Sequence, residues 1–185
     1  MQITDIAIIA VIENIISAMA SFDLYAPTLK RWEGGWVNDP DDKGGATMCG
    51  VTLGTFRMYF GAERTAEELR NISDAQWKYI MKRYWDNCKA DQIENQSIAE
   101  IFVDWHVNAG TSAIRRMQAA FGIKSDGKVG RQTLSVLNGA DREHVFDMLK
   151  NARISYYNKL AMTTPVYKKF LRGWLNRVNS FTFHS

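Results

Sequence analysis

Apolar residues recur at three- and four-residue spacing through most of the chain, and one short stretch breaks that period. Phe22, Leu24, Tyr25, Leu29 and Trp32 predict a helix over residues 22–33, with Pro27 in its first turns, where proline is tolerated. Gly34 and Gly35 stop it, because glycine costs about 1 kcal/mol against alanine inside a helix and accepts φ > 0. From Val37 to Thr52 the period disappears. That run is rich in Gly and Asp and predicts an irregular loop or short hairpin, with residues 48–52 as the one plausible strand.

After Leu53 helices dominate. Thr65 to Glu68 and Ser73 to Gln76 have capping-box spacing and open helices over residues 66–70 and 74–86. In the second, Trp77, Ile80, Met81, Tyr84 and Trp85 form a stripe that reads as core, with Tyr84 and Trp85 placed to line a groove at one end. Ile98, Ile101, Phe102 and Trp105 mark a helix over 97–109, stopped by Gly110. Thr111 is placed as the cap of residues 113–121, Asp141 as the cap of 143–162, and Thr164 with Pro165 as the start of 166–178. The expected architecture is mainly α. Loops are short and repeats absent, so a first lobe (19–92) and a helical second lobe (93–185) are expected to form one body. Residues 1–18 read as an N-terminal extension with helical character.

That N-terminal run adds little to the picture. It is apolar from Ile6 to Ala20 but interrupted by Glu13 and Asn14, and shorter than the roughly 20 apolar residues a bilayer requires. It lacks the positive opening of a signal peptide, since the first Lys or Arg is Lys30. Neither stable membrane insertion nor a convincing export signal is expected.

Composition removes several classes of function. At 185 residues and 46% hydrophobic content the chain can bury a core. Its net charge of +3, from 23 basic and 20 acidic residues, is too small to argue for nucleic acid. The charge is uneven, however: from Asp147 to the end there are seven basic residues, Lys150, Arg153, Lys159, Lys168, Lys169, Arg172 and Arg177, and one acid, Asp147. This reads as a solvated helix face, with attraction to an anionic envelope as the functional alternative. Cys49 and Cys88 make neither a disulfide framework nor a metal site, and read as small buried hydrophobes. His106, His144 and His184 sit in unrelated contexts, so no metal is expected, and His106 reads as satisfying a local hydrogen bond.

The candidate chemistry lies where the helical period breaks. Glu33 closes the first helix between Trp32 and a glycine pair, ahead of Trp36, Asn38 and the aspartates Asp39, Asp41 and Asp42. A carboxyl at a helix end against indole can be held protonated by desolvation, as a general acid requires. Glycoside hydrolysis usually pairs such an acid with an ionised carboxylate. The aspartates can supply one, although Asn-Asp-Pro-Asp-Asp is also ordinary turn chemistry.

The run Glu33-Gly-Gly-Trp-Val-Asn-Asp-Pro-Asp-Asp-Lys-Gly-Gly-Ala-Thr47, followed by Gly50-Val51-Thr52, resembles the signature of glycoside hydrolase family 108. Its members are lysozyme-like N-acetylmuramidases of phage endolysins and bacterial genomes, some labelled secretion activators. The resemblance implies a mainly α, lysozyme-like fold with a short irregular or β-hairpin active-site segment. It places the catalytic acid on Glu33. Spacing like that of bacteriophage lysozymes implies Asp42 as second carboxylate, with Asp39 as the alternative, and Thr47 as a water-positioning hydroxyl. Trp32, Trp36 and Asn38 then become candidates for sugar contact.

Further on, Asp104-x-x-x-Asn108-x-Gly110 resembles the start of the family's peptidoglycan-binding region. That makes Asn108 a further substrate-binding candidate, beside Tyr84 and Trp85. Met117-Gln118-x-x-Phe121-Gly122 and Ser125-Asp126-Gly127-Lys128-Val129-Gly130 are similar to the helix and Asp-Gly turn of such modules, where the turn either binds glycan or is purely structural.

The implied reaction is cleavage of the β-1,4 bond between N-acetylmuramic acid and N-acetylglucosamine, with no cofactor. The implied partner is the peptidoglycan strand. An endolysin of this kind is a monomer made in the cytoplasm that reaches the wall through a holin-type pore. A wall-remodelling enzyme is the other setting. A lytic transglycosylase and a non-enzymatic peptidoglycan-binding or secretion-associated protein are the rivals.

Overall fold

In a computed structural model of the protein, which describes residues 19–38 and 45–185, the chain is mainly helical. The expected N-terminal extension (1–18) and the aspartates at 39, 41 and 42 lie outside the described residues. The chain divides into two compact units, Phe22–Asp86 and Asn87–Ser185, the second joined by residues 19–21. Among the described residues, no helix is long and apolar enough to cross a membrane.

The first unit opens with α1 (Phe22–Trp32), which buries Phe22, Tyr25, Ala26 and Leu29. Pro27 sits on its exposed side, where solvent can take the carbonyl that proline leaves unbonded. A three-stranded antiparallel sheet follows, β1 (Trp36–Val37), β2 (Thr47–Met48) and β3 (Val51–Thr52), in the order β1-β2-β3. The expected single strand over 48–52 is therefore two strands and a turn. Met48 pairs with Val51, which leaves Cys49 and Gly50 as a two-residue hairpin loop. Both have positive φ, +46° and +76°, as a type I′ turn demands.

Three helices complete this unit: α2 (Leu53–Phe60), α3 (Ala66–Arg70) and α4 (Asp74–Asn87). Thr52 caps α2 by accepting from the Thr55 amide. The Thr65–Glu68 capping box is fully formed. Ser73 and Gln76 exchange the same two bonds at the start of α4. Such caps contribute about 1 kcal/mol each, enough to seat a five-residue helix that propensity alone would not hold. The α4 stripe Trp77, Ile80, Met81 and Trp85 is buried.

In the second unit α5 (Gln96–Ala109) is buried on nearly every side and packs against α6 (Thr111–Ala120) and α8 (Arg142–Thr163). In the chain α7 (Arg131–Leu137) follows α6 and touches α8, and α9 (Lys168–Asn179) closes on α8 after a 3₁₀ turn, Pro165–Tyr167. Asp141 caps α8 as expected, accepting from the His144 amide. Two caps fall elsewhere. Thr111 is the first residue of α6 rather than its cap, and Thr164 makes no side-chain cap bond. Asn95, not foreseen, caps α5.

The basic face also needs correction. Arg153 and Arg177 are buried on Asp104, itself fully buried. Arg153 Nη2 donates to Asp104 Oδ2 at 2.6 Å, and Arg177 binds the same carboxylate through Nε and Nη2 at 2.9 and 2.7 Å. Only the fork of Arg makes such a bidentate pair. The Asp126-Gly127 turn is a structural staple. Gln118, 1% exposed, accepts from the Gly127 amide and donates to Asp126, Lys128 and Thr133.

Candidate active site

Glu33 is the first residue past α1, its amide still bonded to the Leu29 carbonyl at 3.0 Å. Gly34 then turns at φ +77°, so the helix ends where the glycine pair predicts and the carboxyl stands at its rim. The Glu33 side chain is half-buried and lies across the β2–β3 turn. A Cβ placed on Gly50 would sit 2.6 Å from Glu33 Oε2, 3.1 Å from Cγ and 3.2 Å from Cβ. Position 50 thus needs glycine twice, for its positive φ and for the closeness of Glu33.

The turn is fixed from below. Trp77 Nε1 donates to the Cys49 carbonyl at 2.9 Å in a buried bond. The Cys49 amide donates to the Gly35 carbonyl at 3.3 Å, so the hairpin is tied to the loop just after Glu33. Lys30 Nζ lies 5.3 Å from the centre of the Trp77 ring. Burial pushes the Cys49 thiol up, against Lys30 and with the help of Glu33. Cys49 is accordingly a buried neutral neighbour of the carboxyl rather than a nucleophile.

Trp36 opens β1 opposite Met48 and is half-buried, with the Arg70 guanidinium 5.9 Å from its ring centre. Asn38 follows, exposed, where the chain leaves for the connection that carries Asp39, Asp41 and Asp42. Thr47, on β2, is half-buried and donates its hydroxyl to the Gly45 carbonyl at 3.4 Å. Trp32 is half-buried in the last turn of α1. The fold therefore brings Glu33, Gly50, Cys49 and Trp77 together, with Trp36 and Thr47 on the same small sheet.

Other candidates stand apart from this cluster. Trp85 is fully buried between Phe22 and Tyr25, with ring centres 6.0 and 6.1 Å away, and offers no face to a sugar; its place in the core corrects the expected role. Tyr84 is half-buried, with its hydroxyl accepting from Arg83 at 2.9 Å. Asn108 is exposed at the end of α5. His106 is buried, and that burial holds its pKa below the ordinary value.

Sequence reasoning passed over Trp77, taken as plain core, and the Cys49–Gly50 turn. A residue-glycine pair between Met48 and Val51 was the available signal, since two-residue hairpins favour glycine there.

Comparison with known proteins gives the geometry a family. Residues 26–110 match Glycosyl hydrolase 108. The first part of the chain is a glycosyl hydrolase 108 domain. Residues 112–179 match the Predicted Peptidoglycan domain, so the family boundary falls at the α5–α6 junction inside the second compact unit. Together they make the protein a glycosyl hydrolase directed at peptidoglycan. Brucella abortus SagA is similar in structure, with 24% identity, a TM-score of 0.66, and coverage of 89% of this chain and 97% of that one. At that identity the likeness concerns the fold. No curated protein matches.

Proposed function

We propose that this glycosyl hydrolase 108 protein is a muramidase that cuts the β-1,4 bond between N-acetylmuramic acid and N-acetylglucosamine, with Glu33 as general acid. The observation that carries this reading is the seat of Glu33, a half-buried carboxyl at a helix end held so close to Gly50 that a Cβ there would displace it. Such a carboxyl protonates the leaving oxygen as the sugar gains oxocarbenium character. Asp42, or in its place Asp39, supplies the second carboxylate from the connection between β1 and β2. Thr47 helps position water. Trp36 and Trp32 offer ring faces to sugar, Asn38 an amide, and Tyr84 a more distant contact. The setting that fits is a monomer made in the cytoplasm and acting on the wall, as an endolysin released through a holin-type pore or as a remodelling enzyme.

Mass spectrometry of a peptidoglycan digest tests the reaction. Hydrolysis leaves reducing N-acetylmuramic acid ends. Anhydro-muramyl ends would instead make the protein a lytic transglycosylase, which needs no second carboxylate, and ends in N-acetylglucosamine would move the cut to the other linkage.

A further inference from the structure

Two cavities in the second unit share one wall, Tyr156. The first, about 240 Å³, is aromatic, with Tyr157, Tyr167 and Trp174 around it and Asn108 at its edge. Tyr157 and Trp174 stack at 5.0 Å, and Tyr167 lies 5.9 Å from Trp174. Asn108 Oδ1 accepts from the Tyr157 hydroxyl at 3.5 Å, while its Nδ2 donates to no described residue. The second cavity, about 350 Å³, has a floor of Ala119, Ala120, Ala152 and Ser155. Arg116 and Lys159 flank it, both exposed. The Arg116 guanidinium lies 4.3 Å over the Tyr156 ring, its Nε donating to Ser112 Oγ at 3.3 Å. Among the described residues neither cation meets a carboxylate, although Asp104 takes two arginines of the same unit.

We propose that these cavities form one subsite for a stem-bearing muropeptide. The aromatic side takes an amino-sugar ring, whose C–H face stacks on the exposed Tyr167 and half-buried Trp174, with the Asn108 amide toward the acetamido carbonyl. The cationic side takes the carboxylates of the attached peptide. The pairing of the two sides carries the argument. The sugars of a glycan strand carry no charge once each lactyl group is amide-linked to its stem, so bare glycan offers Arg116 and Lys159 no counter-charge. The stem carries free carboxylates next to the sugar, as the cations lie next to the rings. This inference rests on the reading of the protein as directed at peptidoglycan and is independent of the role of Glu33.

Calorimetric titration of the full chain in the Glu33→Gln background, which separates binding from turnover, tests it. The probes are a disaccharide-tetrapeptide, N-acetylglucosamine tetramer, and the tetrapeptide alone. The disaccharide-tetrapeptide is expected to bind tightest. Arg116→Gln with Lys159→Gln weakens it about fivefold, the scale of two exposed ion pairs, and leaves the tetramer unchanged. Tyr167→Ala, at an exposed position, weakens both sugar-containing probes by a similar factor. Unchanged disaccharide-tetrapeptide affinity in the double variant overturns the proposal, as does equal affinity for the disaccharide-tetrapeptide and the tetramer when Arg116 and Lys159 are intact. Equal binding of heparin would reduce the site to a general polyanion surface and also overturn it. Failure of the Glu33 reading would show differently, as undiminished turnover in Glu33→Gln with this binding intact.

Discussion

Gly50→Ala separates the placement of Glu33 from its chemistry. Two costs follow. The backbone at φ +76° is left-handed, which costs an L-residue roughly 1–2 kcal/mol. For a chain of this size that lowers Tm by about 2–4 °C per kcal/mol. The second cost falls on the acid. The new methyl carbon starts 2.6 Å from Oε2 and must reach the 3.4 Å of an ordinary contact, so the carboxyl moves by about 0.8 Å. Rotation of the carboxylate alone does not relieve it, because Glu33 Cγ and Cβ are also tight at 3.1 and 3.2 Å. A displacement near 1 Å can cost about 100-fold in rate, so kcat on purified peptidoglycan is expected to fall about 10- to 100-fold while the protein stays folded. Dye release from labelled peptidoglycan gives the rate and thermal melting gives the fold. Gly122→Ala is the control, since Gly122 has φ +66° and open space around its would-be Cβ. It should lose similar stability and keep full activity. A folded Gly50→Ala protein as active as wild type would refute the reasoning, and so would an equal activity loss in Gly122→Ala.

Three other outcomes are expected. Asp42→Asn and Thr47→Ala should each reduce peptidoglycan clearance in turbidity assays; a silent Asp42→Asn beside a severe Asp39→Asn would move the second carboxylate to position 39. Asp104→Asn leaves Arg153 and Arg177 buried and underpaired, and should destabilise the second unit by about 3–5 kcal/mol in urea unfolding, whereas a loss under about 1 kcal/mol would show the cluster to be dispensable. Burial lowers the His106 pKa, so below about 6.5 the unfolded chain binds that proton more readily than the folded one. Stability should therefore fall as pH drops from 7.5 to 5.5, and His106→Gln should flatten that part of the urea-midpoint profile.

Local signals in the sequence carried most of the fold. The end of α1 at Gly34, the boxes at Thr65 and Ser73 and the Asp141 cap all depend on residues within four positions of one another. The candidate acid was legible for the same reason, because Glu33 and its glycines are neighbours in sequence. What escaped was long-range. Asp104 meets Arg153 across 49 positions and Arg177 across 73, so no window could tell that two cations of a basic run were buried. Trp77 reaches Cys49 across 28 positions, which turns a core tryptophan into the support of the hairpin beside Glu33. Trp85 failed as a sugar contact because periodicity tells which face of α4 is apolar, not which end stays open.

The most direct measurement is the initial rate of Glu33→Gln on purified peptidoglycan, with its melting temperature alongside. An unchanged melting temperature and a rate lowered by about 10²- to 10⁴-fold are expected of a lost general acid. A folded Glu33→Gln protein that clears peptidoglycan at the wild-type rate would contradict the assignment.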